Sequence, residues 1–486
     1  MLENLDMSKK VSKSDFNETM DGLEQRLGLI QRKARDAKKP IIIVFEGWCG
    51  ARRSTIINKM MQCMDARGFN VYSTVDMVNR NNDYPFFTFF WQKLPAKGNI
   101  AVYHRSWYYL KHANEVLGDT NHGDKISYSH INNFEKMLTD DNYIILKYFL
   151  HVTPGQQKKN LSKHYRSLGK TWRDMCPTIE ESENYDEFLE RYEKMLGETD
   201  TVNAPWHLIA ADDNRNAQLE VIKSIVETLE RALVTPSYDA PTVRAATSYD
   251  VLSRVESNQE MSKDEYKDRL DKYQKKLTQL QVDMFKARIP SIFCFEGWDA
   301  AGKGGAIRRL TAALDPLGFS VNPMAAPNIV EKQFHYLWRF WIHQPAPGTI
   351  AIFDRSWYGR VMVERIEGFA KPSEWQRAYD EIKDMEQQWA EHGVAIAKFW
   401  LQIDKDEQLR RFNERQNDVN KQWKITEEDW RNRDKWEAYE EAVNEMLVRT
   451  DTYYAPWTIV EGNNKYYARL KVLKTVIDLF EKKLGK

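Results

Sequence analysis

A glycine-rich segment in the second half of the chain has the spacing of a phosphate-binding loop. Residues 297–304 read GWDAAGKG and contain the pattern G-x-x-x-x-G-K, between an apolar run and an amphipathic run. Backbone N–H groups of such a loop face phosphate oxygens, and Lys303 adds a full positive charge. The alternative is a glycine-rich turn with a surface lysine. The predicted phosphate-binding residues are Gly297, Ala301, Gly302, Lys303, Gly304 and Arg360.

Two aspartates stand where a divalent cation would bind. Asp299 lies inside the loop, and Gly304 replaces the Ser or Thr that usually holds Mg²⁺ there. Asp354 ends an apolar run about 50 residues further along, as in a Walker B strand. Mg²⁺ prefers carboxylate oxygens and water, so both aspartates are predicted to bind Mg²⁺, with Mn²⁺ as the alternative. For Asp299, a turn residue or helix cap is the plainer interpretation.

Four arginines are candidates for contacts with phosphate. Arg355 and Arg360 follow Asp354 closely and could clamp phosphate oxygens. Arg411 and Arg415 are one helical turn apart after a predicted strand, at the position of a mobile lid that closes over the transferring group. The competing interpretations are a structural salt bridge for Arg355 and a solvated charged face for the lid pair. The predicted catalytic residues are Asp299, Lys303, Asp354, Arg355, Arg411 and Arg415.

The sequence contains a tandem duplication, which organises the elements around these residues. Residues 45–48 recur at 295–298, and 105–108 recur at 355–358, both at an offset of 250 that later becomes 251. Such a register over most of the chain indicates two homologous domains. Pro and small polar residues mark the seam. We predict a first domain over 1–238, a linker over 239–261 and a second domain over 262–486.

Apolar periodicity predicts alternating strands and helices in each copy. In the second copy the predicted strands are 292–295, 349–353, 395–403 and 457–460, with helices that include 306–314 and 373–392. This order indicates a parallel sheet wrapped by helices. The predicted fold class is α/β, with two tandem P-loop kinase-like domains, each a parallel β-sheet flanked by helices with a helical lid.

The first copy lacks the residues on which this chemistry depends. Cys49 stands at the position of Asp299, and His104 stands at the position of Asp354. In the loop and lid, Arg52, Arg53, Ser54, Lys159, Asn160 and His164 replace Gly302, Lys303, Gly304, Arg410, Arg411 and Arg415. We therefore predict a degenerate domain without metal-dependent transfer. Packing, stability and docking of a long anionic substrate remain alternative roles for it.

Composition excludes several classes of protein. The 71 basic residues balance the 71 acidic ones, which argues against a generally basic nucleic-acid binder. No apolar run is long enough to span a bilayer, and the first ten residues have no apolar core typical of a signal peptide. Four scattered cysteines without C-x-x-C predict a reduced, cytoplasmic protein. The 16 Trp and 23 Tyr favour a further subunit interface, so a homo-oligomer is expected.

Three motifs together resemble the polyphosphate kinase 2 family. They are FEGWDAAGKG at 295–304, DRSWY at 354–358 and APW at 455–457, and the resemblance spans 263–486 with a weaker copy before it. Two fused copies with a degenerate first one resemble the two-domain members. The resemblance implies Mg²⁺-dependent transfer of a terminal phosphoryl group from inorganic polyphosphate to AMP, giving ADP. It matches Gly302, Lys303 and Gly304 to the phosphate loop, Asp299 and Asp354 to essential aspartates, and Arg355, Arg360, Arg411 and Arg415 to phosphate or lid contacts.

Three other functions remain open from the sequence. One is a polyphosphate-dependent kinase that converts ADP to ATP. Another is an ATP-dependent nucleotide kinase on the same P-loop core, although Gly304 in place of Ser or Thr speaks against it. The last is a protein that senses phosphate and has kept the loop only for binding, which the intact second copy disfavours.

Overall fold

Two parallel five-stranded sheets, one in each copy, form the core of the computed structural model. It describes residues 1–74, 83–116, 126–168, 178–234, 249–257 and 259–486. The strands are β1 (Ile41–Gly47), β2 (Phe69–Ser73), β3 (Ile100–His104), β4 (Ile144–His151), β5 (Trp206–Ala210), β6 (Ser291–Gly297), β7 (Phe319–Pro323), β8 (Ile350–Asp354), β9 (Ala395–Gln402) and β10 (Trp457–Glu461). The strand orders are β2-β3-β1-β4-β5 and β7-β8-β6-β9-β10, with every neighbouring pair parallel. The predicted α/β class is confirmed.

Helices flank both sheets. In the first copy they are α1 (Lys13–Asp36), α2 (Arg53–Gln62), α3 (Thr88–Gln92), α4 (Trp107–Val116), α5 (Tyr128–Asp140), α6 (Pro154–Leu168), α7 (Thr178–Glu183), α8 (Tyr185–Thr199) and α9 (Asn214–Val234). In the second copy they are α10 (Lys263–Lys286), α11 (Lys303–Thr311), α12 (Trp338–Trp341), α13 (Val363–Ile366), α14 (Pro372–Glu391), α15 (Lys405–Asn417), α16 (Glu427–Asp434), α17 (Trp436–Thr450) and α18 (Lys465–Leu484). Among these, none in the described part of the chain is long and apolar enough to cross a membrane.

The strand prediction for the second copy missed one edge strand. The four predicted strands correspond to β6, β8, β9 and β10. The missed strand, β7, reads FSVNP and lies at the sheet edge, where three of its five residues are exposed and a proline ends it. A short edge strand needs neither a continuous apolar run nor strict alternation, which is why the pattern did not reveal it.

A buried lysine ties the central sheet to the segment that follows Asp354. The Nζ of Lys398, in β9, donates at 2.8 Å to each of three oxygens, which belong to Tyr358, Glu386 and Thr450. Lys147 repeats the same three contacts in β4 of the first copy. A buried cation is tolerated only when it is paired and hydrogen-bonded, as it is here. The arrangement holds the start of the 357–361 turn against the second sheet and the start of α4 against the first.

The two copies meet through aromatic and polar side chains. Trp91 and Trp341 occupy equivalent positions and stack with centroids 5.6 Å apart at 11°. The Asn133 amide donates to Asp384 at 3.1 Å, again between equivalent positions. This contact is an interface within the chain. Several tryptophans, including Trp91 and Trp341, are fully buried, so much of the aromatic surplus is used internally.

The junction between the copies is described only in part. Residues 235–248 and 258, which include the predicted seam, lie outside the described residues. Within the predicted linker, the N–H groups of Val251 and Leu252 donate to Asn444 Oδ1 at 2.8 and 2.9 Å. This contact fastens the linker to α17 of the second copy.

Candidate active site

The glycine-rich loop joins β6 to α11, as the sequence predicts. Gly297 has φ +148°, and a Cβ there would lie 2.6 Å from the carbonyl oxygen of Leu401 in β9, so only glycine fits. Gly302 adopts the left-handed conformation immediately before α11 begins. Lys303 Nζ donates to the carbonyl oxygens of Gly297 and Trp298 at 2.6 and 3.2 Å. The ammonium group therefore lies over its own loop, with Gly304 in the first turn of α11.

Arg411 binds the main chain of this loop. All five of its N–H groups are used: Nε donates to Glu407, and the guanidinium tips donate at 2.7 to 3.1 Å to the carbonyl oxygens of Ala300, Ala301, Gly462 and Asn463. The side chain is only 3% exposed. This placement differs from the expected mobile lid arginine, because main-chain carbonyls occupy the donors that would contact phosphate.

Asp299 is held between a lid amide and an arginine. Its Oδ2 accepts a hydrogen bond from Asn432 Nδ2 at 2.9 Å, and its Oδ1 lies 3.6 Å from Arg355 Nη2. The hydroxyl of Tyr439 donates to Asn432 Oδ1 at 3.2 Å. Asn432 belongs to α16, the next helix after α15, which carries the predicted lid arginines. The sequence analysis did not identify Asn432 or Tyr439, because each lies more than 130 residues after Asp299 and neither falls in a known motif.

Asp354 and Arg355 lie at the carboxyl end of β8, beside the strand that leads into the loop. Asp354 pairs in register with Phe295, and the Arg355 N–H donates to the Phe295 carbonyl at 3.0 Å. Arg355 has φ +65°, which is uncommon for a residue with a side chain. Burial by itself lowers the pKa of the Arg355 guanidinium. The carboxylates of Asp299 and Glu296 outweigh that effect and raise the pKa, so the charge is firmly held.

The remaining predicted arginines have different surroundings. Arg360 pairs with Glu364 at 2.9 Å and lies over the ring of Tyr336, 4.3 Å from its centroid, so these two side chains engage its guanidinium. Arg415 donates to the carbonyl oxygen of Lys424 at 3.0 Å. That contact places Arg415 beside the segment that leads into α16.

A cavity of about 360 Å³ opens on one side of the loop. Asp299, Lys303 and Arg355 line its polar end, and α16 contributes Glu428 and Asn432. Its apolar lining comes from Met324, Ala325, Phe340, Met362, Val363 and Phe369. We call this the larger cavity. Its combination of an apolar wall with a charged end suits a ligand that has a planar apolar part and an anionic part.

A second cavity of about 260 Å³ lies on the other side of the same loop. Loop residues Ala300, Ala301 and Gly302 form one wall. Its cationic lining comes from Arg411, Arg415, Lys421, Lys424, Lys465 and Arg469, with Glu414 as the acidic member. We call this the basic cavity. Burial, followed by repulsion from Arg411, lowers the pKa of Lys465, as expected where cations crowd together.

The carboxylates at the loop fit a divalent metal ion that would take its remaining ligands from water and phosphate groups. Among the described residues, no group of three or more His, Cys, Asp or Glu side chains is arranged to hold a metal ion by itself. Mg²⁺ is commonly held by one or two carboxylates plus waters and substrate phosphates. Asp299 and Asp354 follow the ends of adjacent strands at the phosphate loop and offer only hard oxygen ligands. The residues present therefore match the requirements of that ion.

The equivalent site of the first copy is filled by its own side chains. Arg53 donates to the carbonyl oxygens of Gly47 and Trp48, as Lys303 does in the second copy. Arg105 is buried and donates to Cys49 Sγ at 2.9 Å, whereas the side chain of its counterpart Arg355 is half exposed. The guanidinium of Arg105 thus contacts the loop side chain directly, whereas Arg355 lines a cavity in the second copy.

The ionisable groups of the first site also differ from those of the second. The Cys49 N–H donates to Glu181 at 2.7 Å, and burial, with that carboxylate nearby, raises the pKa of the Cys49 thiol to about 12. Burial and the neighbouring Arg53 lower the pKa of His104 to about 3, so the imidazole is neutral. Arg52 takes the left-handed conformation of Gly302 with φ +59°, so the loop path survives without glycine. The first copy keeps the backbone of the site and has lost both carboxylates.

The fold and the loop define a tandem α/β protein of the P-loop kinase type. The sequence matches the polyphosphate kinase 2 family over residues 10–236 and again over 260–485. A polyphosphate:AMP phosphotransferase from Pseudomonas aeruginosa is 38% identical over 99% of both chains, and one from Acinetobacter johnsonii is 33% identical over 94% of both. A solved structure of a polyphosphate kinase 2 from Pseudomonas aeruginosa covers 100% of this chain and 99% of its own, with a TM-score of 0.88 and 36% identity. The chain belongs to the polyphosphate kinase 2 family.

Proposed function

We propose that this protein is a phosphotransferase that moves the terminal phosphoryl group of inorganic polyphosphate to AMP and releases ADP. One observation carries the proposal. Consecutive residues of a single phosphate loop line two cavities, one with an apolar wall and one that is strongly basic. Two phosphate-bearing substrates that enter from opposite sides would meet at Lys303. The names of the full-length relatives, which describe this reaction, support the same assignment.

The basic cavity is assigned to the polyphosphate donor. Five cationic side chains besides Arg411 surround it, with one carboxylate among them. A chain of linked phosphates carries about one negative charge per unit, so it gains from each cation, and its affinity falls as salt screens the charges. The zero net charge of the whole protein is compatible with this, because the cations are concentrated at one place.

The larger cavity is assigned to the nucleotide acceptor. Its apolar wall suits a purine ring, and Phe369, which is 72% exposed, has a face available for stacking. At the other end, Lys303 and Arg355 suit the phosphate group. Acidic side chains on α13 and α16 also line the cavity and offer acceptors for a base amino group or a ribose hydroxyl.

The proposed chemistry is in-line transfer without a covalent enzyme intermediate. A phosphate oxygen of AMP forms a bond to the terminal phosphorus of polyphosphate, and the bridging P–O bond breaks, so the shortened chain leaves with that oxygen. The attacking oxygen is already anionic and needs no strong general base. Lys303, Arg355 and the loop N–H groups neutralise charge on the equatorial oxygens. Asp299 and Asp354 would hold Mg²⁺, or Mn²⁺ in its place, and the bound ion would offset the negative charge of the phosphate groups.

Arg411 takes a positioning role in this proposal. Its hydrogen bonds to the carbonyls of Ala300 and Ala301 fix the wall that separates the two cavities. Arg415 is the lid-helix arginine that faces the basic cavity. Arg360 acts on the larger cavity through Tyr336, which lines it.

The first domain is assigned a scaffolding role. Arg53, Arg105 and Glu181 fill its loop site, which disfavours a second phosphate-binding site there. Its contribution is the packing surface against the second domain, centred on Trp91. We also keep the expectations of a cytoplasmic location, where polyphosphate and AMP would be available, and of a homo-oligomer. Nucleic acid and membranes are not expected as partners.

A matrix of donors and acceptors tests the substrate assignment. Purified protein with Mg²⁺ is given polyphosphate or ATP as the donor, and AMP, ADP or GMP as the acceptor. We expect ADP from polyphosphate and AMP to be the fastest reaction. Faster conversion of ADP to ATP would indicate a polyphosphate-dependent diphosphate kinase, and transfer from ATP without polyphosphate would indicate a conventional nucleotide kinase. Either result would overturn the proposal.

A further inference from the structure

The duplicated chain provides an internal comparison for the side chain that faces Asp299. Asn432 faces Asp299 in the second copy, and Glu181, its counterpart at an offset of 251, faces Cys49 in the first. Where the loop residue is a carboxylate its partner is a neutral amide, and where the loop residue is a neutral thiol its partner is a carboxylate. A carboxylate opposite Asp299 would place two like charges within 3 Å.

This difference between an amide in the second copy and a carboxylate in the first does not result from a shift of the surrounding helices. Trp298 stacks on Trp436 with centroids 3.8 Å apart at 7°. Trp48 stacks on Tyr185, at the same two positions of the first copy, at 3.9 Å and 6°. The segment that carries Asn432 or Glu181 therefore meets the loop in the same geometry in both copies, and the difference lies in the side chains.

A second residue orients the amide. The Tyr439 hydroxyl donates to Asn432 Oδ1, which leaves the NH₂ group as the end that faces Asp299. The first copy has Phe188 at the position of Tyr439 and so has no hydroxyl there. Tyr439, Asn432 and Asp299 form one hydrogen-bonded chain from α17 through α16 to the loop, and Asp299 and Asn432 both line the larger cavity.

From this arrangement we infer that Asn432 is a positioning residue for Asp299. The Asn432 amide is a neutral donor that fixes one carboxylate oxygen of Asp299. The other oxygen then keeps its orientation towards Arg355 and the larger cavity. Because Asn432 lies on α16, this orientation depends on the position of that helix. The inference rests on the proposed function for its effect on turnover. The hydrogen bond itself does not depend on that function.

Kinetics of Asn432→Ala test the positioning role. Because the amide orients Asp299 without binding AMP, we expect kcat to fall about 10–100-fold while KM for AMP stays within about threefold. Tyr439→Phe should show a weaker effect of the same kind, and Asn432→Gln should recover more activity than Asn432→Ala. Glu181→Ala is the matched control in the first copy and should leave kcat unchanged. An unchanged kcat in Asn432→Ala, a raised KM with normal kcat, or an equal loss in Glu181→Ala would overturn the inference.

A stability measurement in EDTA tests the contact without using activity. Asn432→Asp places a carboxylate against Asp299 and should lower the melting temperature by about 2–4 °C. The double variant Asp299→Asn with Asn432→Asp exchanges the two groups and should recover the wild-type value. If it melts as low as Asn432→Asp alone, the contact does not exist and the inference fails. If the wild type makes no ADP but the double variant recovers stability, the proposed function fails and the Asp299–Asn432 contact stands.

Discussion

The guanidinium of Arg411 donates to the carbonyl oxygen of Ala300 at 2.9 Å, and in the first copy the Asn160 amide donates to the equivalent Gly50 carbonyl at the same distance. The contact therefore survives in the copy that has lost its carboxylates. Because this contact is kept in a copy that has no carboxylates for the reaction, its role is to support the structure of the loop. In the second copy the longer arginine adds three further carbonyl contacts, which fix the loop more firmly where two substrates are proposed to meet.

Replacement of Arg411 by lysine should damage both stability and turnover. Lysine keeps the charge but has three donors on a flexible stem, so buried carbonyls lose their partners. We expect a loss of about 3 kcal/mol in the free energy of unfolding, measured by urea denaturation, and at least a tenfold lower kcat. Asn160→Ala is the matched change in the first copy and should lower stability while kcat stays normal. Wild-type stability in Arg411→Lys would contradict the role described for this residue.

Cations of the basic cavity should act on the donor and leave the acceptor unaffected. Arg415→Ala and Lys424→Ala should each raise KM for polyphosphate several-fold at about 50 mM salt, and less at about 300 mM, because salt screens the same charges. KM for AMP should not change. Arg410→Ala is the control on the same helix, since that guanidinium pairs with Glu407 and Glu414 at the surface. Equal effects of Arg410→Ala and Arg415→Ala would show that only general charge matters.

The stacked tryptophans should couple the stabilities of the two domains. Trp91→Ala and Trp341→Ala each leave a cavity at a fully buried contact, and each should cost roughly 3–5 kcal/mol. Because the loss falls on the shared interface, we expect calorimetry to resolve two transitions where the wild type shows one. A single transition in both variants, with an unchanged midpoint, would mean that the first domain does not support the second through this contact.

A buried glutamate in the first copy should make stability depend on pH. Burial, only partly offset by hydrogen bonds from Ser106, raises the pKa of Glu46 above its ordinary value of 4.5. A carboxyl group with a raised pKa is tolerated while it is protonated and costs stability once pH rises through that pKa. Glu46→Gln removes the ionisation and can still accept from Ser106. Its melting temperature should equal that of the wild type near pH 4 and exceed it increasingly towards pH 8. A constant difference across that range would contradict the raised pKa.

Local sequence patterns were sufficient for the loop and not for the residues that support it. The path from β6 through Gly297 and Gly302 into α11 depends on residues that are close together in the sequence. The same is true of the position of Asp354 at the end of a strand. Comparison of the two copies identifies Cys49 and His104 as the positions where the first copy has lost its carboxylates. In contrast, the partners of Asp299 come from residues such as Asn432 and Tyr439, whose approach is set by helix packing far along the chain.

Residue type alone also led to a wrong expectation where the same type of side chain can serve two different roles. Arg411 and Arg415 share a helix face in the sequence pattern and both line the basic cavity, yet Arg411 is buried against the carbonyl oxygens of the loop and Arg415 donates to the carbonyl of Lys424. The difference depends on how close α15 lies to the loop and to the turn after β10, which periodicity does not encode. The same holds for Lys398, a charged residue inside a buried strand whose partners come from three other segments.

We propose that phosphoryl transfer takes place only in the second domain and depends on its carboxylates. The most direct measurement is the rate of ADP formation from polyphosphate, AMP and Mg²⁺ by Asp354→Asn, beside His104→Asn at the equivalent position of the first domain. We predict at least a hundredfold loss for Asp354→Asn, with Asp299→Asn behaving alike, and a wild-type rate for His104→Asn. A normal rate in Asp354→Asn, or a loss confined to His104→Asn, would contradict it.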